Sequence, residues 1–161
     1  MSDDAFGRVL ALGAAGYCCT QIMVQLMLDV QGRDASGDGL GDGRDAVRAA
    51  GGLCRGFGLA EGACGILLGG CMAMGLCAAK GHDAEEPHEA LEAMTTEFAE
   101  WFRERTAASG GISCGAILGD AGDGGGRPDF GKCHGLLLEA HGKMFEVLTA
   151  YGVDPTLPRE G

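Results

Sequence analysis

Apolar residues recur along this chain at helical spacing, and nowhere do they alternate as a half-buried strand requires. The pattern predicts a first long helix over Asp3–Val30, with Leu10, Ala14, Tyr17, Ile22 and Leu26 on its apolar faces. A Gly/Asp loop follows over Gly32–Gly43. A second helix begins near Asp45 and carries Val47, Ala50 and Cys54, with glycines at 51, 52, 56 and 58 weakening its second half. Gly62–Lys80 reads as a third, fully buried helix that Gly81 stops.

The fourth helix has the clearest pattern. Glu85, Glu86 and Pro87 suit its first turn, and Leu91, Met94, Phe98 and Trp101 recur on one face. Glu92, Glu97, Glu100 and Glu104 fall elsewhere and read as a solvated face. A short segment, Ile112–Leu118, carries Cys114, and Asp120–Pro128 is a loop flexible by composition. A last helix runs from Asp129 to about Tyr151, where Gly152 ends it. The expectation is an all-α, single-domain bundle of five or six helices with glycine-rich buried members. It spans residues 1–154, and a disordered tail follows at 155–161.

Composition narrows the class of function. The 161 residues hold 12 Lys+Arg against 23 Asp+Glu, a formal net charge of −11. Nucleic acid and anionic membrane surfaces both need clustered basic side chains, so neither is expected as a partner. Two long uncharged stretches, Val9–Leu28 and Gly62–Ala79, approach the ~20 apolar residues that a bilayer span takes. The first contains Thr20, Gln21 and Gln25, and the second is built largely of glycine and alanine. Both read as buried helices, with no membrane insertion. The start Met1-Ser2-Asp3-Asp4 lacks the basic region of a signal peptide, so a cytoplasmic chain is expected. Its eight cysteines should then serve mostly as thiols or metal ligands rather than structural disulfides.

The cysteines are 18, 19, 54, 64, 71, 77, 114 and 133, and no two are spaced C-x-x-C. That spacing excludes the thioredoxin-type pair, the zinc ribbon and the short ferredoxin run. Any site must therefore be assembled by the fold from separate segments. Cysteine is also a common small buried hydrophobe, and Cys77, among alanines near a helix end, reads as packing.

The stretch from Gly62 through Cys64-Gly65-Ile66-Leu67-Leu68-Gly69 to Leu76 is similar to the signature of the C_GCAxxG_C_C family of redox-active cysteine proteins. Gly16-Tyr17-Cys18-Cys19-Thr20-Gln21 resembles the segment of the first family cysteine, which places it at Cys19. Cys64 matches the second. Cys114-Gly115-Ala116-Ile117-Leu118-Gly119 matches the third, and Cys133, at the start of the last helix, the fourth. The alanine of the family motif is Ile66 here. The resemblance covers nearly the whole chain and implies a redox role in anaerobic metabolism. It points to an electron carrier or accessory redox protein beside a partner enzyme more than to a stand-alone enzyme.

Four thiolates from four segments would give the all-sulfur set that suits an iron–sulfur cluster or Zn²⁺. Cys19, Cys64, Cys114 and Cys133 are thus the expected cofactor and metal ligands. Cys18, Cys54 and Cys71 form a second tier. Cys18 points about 100° from Cys19 on a helix, and Cys71 would share the Cys64 face about 10.5 Å along the axis. That surplus of sulfur favours a cluster over a closed zinc site. The glycines at 62, 65, 69, 70 and 75 suit close helix packing, backbone N–H groups approaching cluster sulfurs, or both.

Weaker patterns complete the inventory. Asp34 to Asp45 fits much of a calcium-loop template, but Asp45 stands where a bidentate Glu belongs and Gly41 where a hydrophobe does, so the segment reads first as a solvated acidic loop. His134 adjoins Cys133 and precedes His141 by seven residues, as ligands or as surface histidines. His82 and His88 flank a helix start. Three readings stand: an iron–sulfur or related redox protein, a metal-free thiol–disulfide oxidoreductase, and a zinc-binding scaffold. The first implies a redox partner protein, and association as a homo-oligomer stays open.

Overall fold

The computed structural model describes residues 3–33, 43–119 and 130–159. Among them are seven α-helices and no strand: α1 Asp3–Ala14, α2 Cys19–Val30, α3 Gly43–Gly51, α4 Gly65–Ala78, α5 Leu91–Arg105, α6 Cys114–Leu118 and α7 Phe130–Ala150. A one-turn segment, Cys54–Phe57, lies between α3 and α4, and a 3₁₀ turn, Ala107–Ser109, follows α5. The chain is all-α, as its periodicity predicts.

Helix α4 is apolar all round and occupies the centre. It packs on α2, α5 and α7, and buries Ile66, Leu67, Ala73, Met74, Cys77 and Ala78. Met94, Phe98 and Phe102 of α5 close one side, each fully buried, and side chains of this size contribute about 1.5–3 kcal/mol each. Leu137, Met144, Val147 and Leu148 of α7 close another. A smaller cluster joins Val24 and Leu28 of α2 to Val47 and Ala50 of α3.

The first predicted helix is in fact two. Gly16 takes φ +93°, and the chain leaves α1 by paired bonds, Gly16 N–H to Gly13 O (3.0 Å) and Tyr17 N–H to Leu12 O (3.1 Å). Cys18 is then extended and caps a new helix. Apolar residues continue through the break because both helices bury their faces in one core. Helix α5 starts at Leu91 rather than near Pro87. The preceding residues form turns in which the Nδ1 atoms of His82 and His88 accept from the backbone N–H groups of Ala84 and Ala90.

The glutamate face is only partly solvated. Glu97 pairs with Lys143 at 3.3 Å, and Arg105 pairs with Glu139, joining α5 to α7. Of the tail expected at 155–161, residues 155–159 are among those described, with 156–158 exposed. Pro155 is buried, Leu157 O accepts from Gln31 Nε2, and Arg159 donates to Glu86 O. The loop expected over Asp120–Pro128 and most of the calcium-type loop, residues 34–42, lie outside the described residues. Among the described residues no helix is long and apolar enough to cross a membrane.

Candidate functional site

Four cysteines stand at the starts of four helices. Cys19 opens α2, Cys64 caps α4, Cys114 opens α6, and Cys133 is in the first turn of α7. Cys64, Cys114 and Cys133 are buried and Cys19 is half-buried. Two local devices bring them together. The first is an isolated antiparallel bridge between Ala63 and Ser113. Across it Cys64 N–H donates to Ile112 O (2.8 Å) and Cys114 N–H to Gly62 O (3.1 Å), so each cysteine follows directly on the pairing. Ser113 Oγ then accepts from Ala116 N–H and caps α6.

The second device is the glycine row of α4. A Cβ at Gly65 would lie 2.6 Å from Thr20 Oγ1, and one at Gly69 would lie 2.7 Å from Thr20 O. With no side chain there, α2 lies directly on α4 and Cys19 comes alongside the Cys64 end. Close packing is therefore what these glycines provide. Ile66, at the motif's alanine position, is fully buried in the core.

The sulfurs are in electrostatic reach of one another. Cys19 shares a hydrogen bond with Cys133, which with burial and the proximity of Cys133, Cys64 and Cys114 raises its pKa well above the ordinary 9.0. Burial, more than any neighbour, pushes Cys64 up to about 12, aided by Cys114 and Cys133. The N–H groups of Ile66 and Leu67, at the open end of α4, pull it the other way. Cys114 is raised by burial and by Cys133, while the Arg55 guanidinium pulls it down. At neutral pH all three thiols keep their protons. Taking those protons off together requires positive charge among the sulfurs.

The donor set fits a sulfur-ligated cofactor in its chemistry: four soft sulfurs, buried, with backbone dipoles pointing at one of them. It is not closed on one point. Among the described residues no group of three His, Cys, Asp or Glu side chains could hold a single metal ion.

The remaining cysteines lie apart from the four. Cys18 and Cys54 form a disulfide with Cα atoms 6.0 Å apart, against the expectation of thiols, so neither sulfur can ligate metal while that bond stands. Cys71 is half-buried in a groove with Pro87, His88 and Leu91, and burial alone raises its pKa. Cys77 is buried where Gln31 Nε2 donates to its sulfur at 3.3 Å and Met27 Sδ lies at 3.5 Å, a packing position. His141 is largely buried, its ring centroid 4.7 Å from that of Phe145, and burial lowers its pKa. His134 lies beside α1, with Nε2 4.0 Å from where a Gly13 Cβ would stand.

One participant was not anticipated from sequence. Arg55 sits in the turn beside the site at φ +55° and is the cation that Cys114 feels. The available signal was modest: Arg55 is the one basic residue between Arg48 and Lys80, and it follows a cysteine.

A family model described as "Putative redox-active protein (C_GCAxxG_C_C)" matches residues 17–147, a span that contains all four clustered cysteines. No curated protein and no solved structure matches the chain.

Proposed function

The chain belongs to the C_GCAxxG_C_C family of redox-active proteins, and from that premise we propose that Cys19, Cys64, Cys114 and Cys133 hold an iron–sulfur cluster through which it exchanges electrons with a partner protein. One observation carries this reading: the four family cysteines, far apart in sequence, meet at the first turns of four helices. Four sulfur donors suit a cluster and zinc alike, and the family's redox description favours the cluster because zinc has no redox chemistry. Such a cluster would supply one-electron chemistry. The chain's own residues do the rest. The bridge at Ala63 and Ser113 fixes two ligands, and the glycine row sets Cys19 beside them. The Ile66 and Leu67 N–H groups favour charge on Cys64, and Arg55 favours it on Cys114.

The test is anaerobic purification or reconstitution, with iron, acid-labile sulfide and visible absorption measured for each Cys→Ser variant. Loss of iron and colour is expected in the Cys19, Cys64, Cys114 and Cys133 variants and retention in Cys71→Ser and Cys77→Ser. Zinc without iron in the native protein, or full iron in Cys64→Ser, would overturn the reading.

A further inference from the structure

The Cys18–Cys54 disulfide joins the cap of α2 to the first residue of the turn Cys54–Phe57, and both residues are only half-buried. We propose that this pair is a second redox site, a reversible dithiol/disulfide couple, and that its oxidised state clamps residues 54–62 against the Cys64 and Cys114 segments.

The turn combines strained backbone with an anchor at each end. Arg55 (φ +55°), Phe57 (φ +62°) and Ala60 (φ +60°) are the only non-glycine residues with positive φ among the described residues. Residues in that region cost on the order of 1–3 kcal/mol each and persist only where their surroundings impose them. Arg55 and Ala60 are half-buried, and burial does not impose the tip of the turn. Phe57 and Leu59 are exposed by 56% and 74%, and Arg55 Nε is buried with no hydrogen-bond partner. Backbone bonds inside the turn, Gly58 N–H to Cys54 O (3.0 Å), Ala60 N–H to Arg55 O (2.9 Å) and Leu59 N–H to Gly56 O (3.4 Å), give it its shape, and an anchor at each end holds it to the rest of the chain. One is the bond at Cys54. The other is backbone pairing, Gly115 N–H to Ala60 O (2.6 Å) and Cys114 N–H to Gly62 O (3.1 Å). The same turn thus carries the carbonyls that fix Cys114 and the guanidinium that faces it. Cutting the first anchor leaves the strained residues free to relax, and relaxation pulls on the second.

The reductant is a dithiol. Its thiolate attacks one sulfur of the pair, and the other cysteine leaves as thiolate and takes up a proton. The second thiol of the reductant then closes its own disulfide and releases the first cysteine, which is protonated in turn. Two electrons and two protons pass from reductant to pair. No metal takes part.

The experiment counts thiols, not iron, so its result is independent of whether a cluster is present. Full-length protein is equilibrated without oxygen in defined glutathione mixtures and then with excess dithiothreitol. It is quenched in acid, unfolded, alkylated and mapped by mass spectrometry. Six alkylated cysteines are expected at the oxidising end and all eight at the reducing end, with Cys18 and Cys54 changing together and reversibly. In parallel, amide exchange of residues 55–62 should run about tenfold faster in the reduced form, with α5 and α7 unchanged. The double variant Cys18→Ser/Cys54→Ser should exchange like the reduced protein even under oxidising conditions. Cys18 and Cys54 alkylated without reductant, a bond that resists dithiothreitol in the folded protein, or equal exchange in the two forms would each overturn the proposal.

Discussion

Whether two helices can touch here is decided by single atoms. Gly69 faces the Thr20 carbonyl so closely that a Cβ would stand 2.7 Å from its oxygen and 2.8 Å from Met23 Cβ. Backbone cannot swing aside as a side-chain tip can, so Gly69→Ala must push α2 off α4. Overpacking of this kind costs about 1–3 kcal/mol. Gly75, on the same helix, has only Ala79 Cβ near it, at 3.9 Å. There alanine's better helix propensity should prevail, worth up to about 1 kcal/mol. Urea denaturation of the two variants should therefore move in opposite directions, and equal shifts would show that the glycine row does not set the α2–α4 distance. The sequence allowed both packing and sulfur contact for these glycines, and only the neighbouring atoms decide at each position.

At the scale of elements, periodicity located most helices but not their ends. Ends depend on caps, and caps are single-residue events inside an unbroken apolar pattern. The break after α1 is the clearest case, since Leu10, Ala14, Tyr17, Ile22 and Leu26 continue across it. Its one written signal is Gly16. Alanine at φ +93° is strained by about 1–2 kcal/mol. Gly16→Ala should lower stability by that order and loosen the start of α2. Denaturant midpoints test this, with Gly142→Ala in α7, where nothing lies within 4 Å, as the neutral or stabilising control. Caps also explain why helical phase misplaced two cysteines. Cys64 is a cap in extended backbone (ψ 137°), so seven residues do not put Cys71 on its face. Cys18 is likewise a cap, and its direction relative to Cys19 does not follow the 100° rule. Which cysteines pair was not legible at all, because spacing does not fix disulfide connectivity.

For the molecule as a whole, the buried thiols tie stability to pH. Cys64 keeps its proton up to about pH 12 in the folded protein and Cys77 up to about 11, whereas an exposed cysteine ionises near 9.0. Between those values the unfolded chain releases protons that the folded chain retains. Stability from this source is therefore complete below pH 9 and is lost as the pH climbs from 9 toward 12. Metal-free, reduced protein should show a falling urea midpoint over that window. A flat profile would contradict neutral, buried thiols.

Each clustered cysteine comes from a different helix start, and this sets an order on synthesis. A chain emerging from the ribosome presents Cys19 first and Cys133 a further 114 residues later. Folding can begin on the emerged part, but the four sulfurs cannot meet until the first turn of α7 has been made. Cys18 and Cys54 need nothing beyond residue 54. Insertion of any cofactor that needs all four sulfurs must thereby wait until Cys133 has emerged, and shorter nascent fragments cannot compete for it.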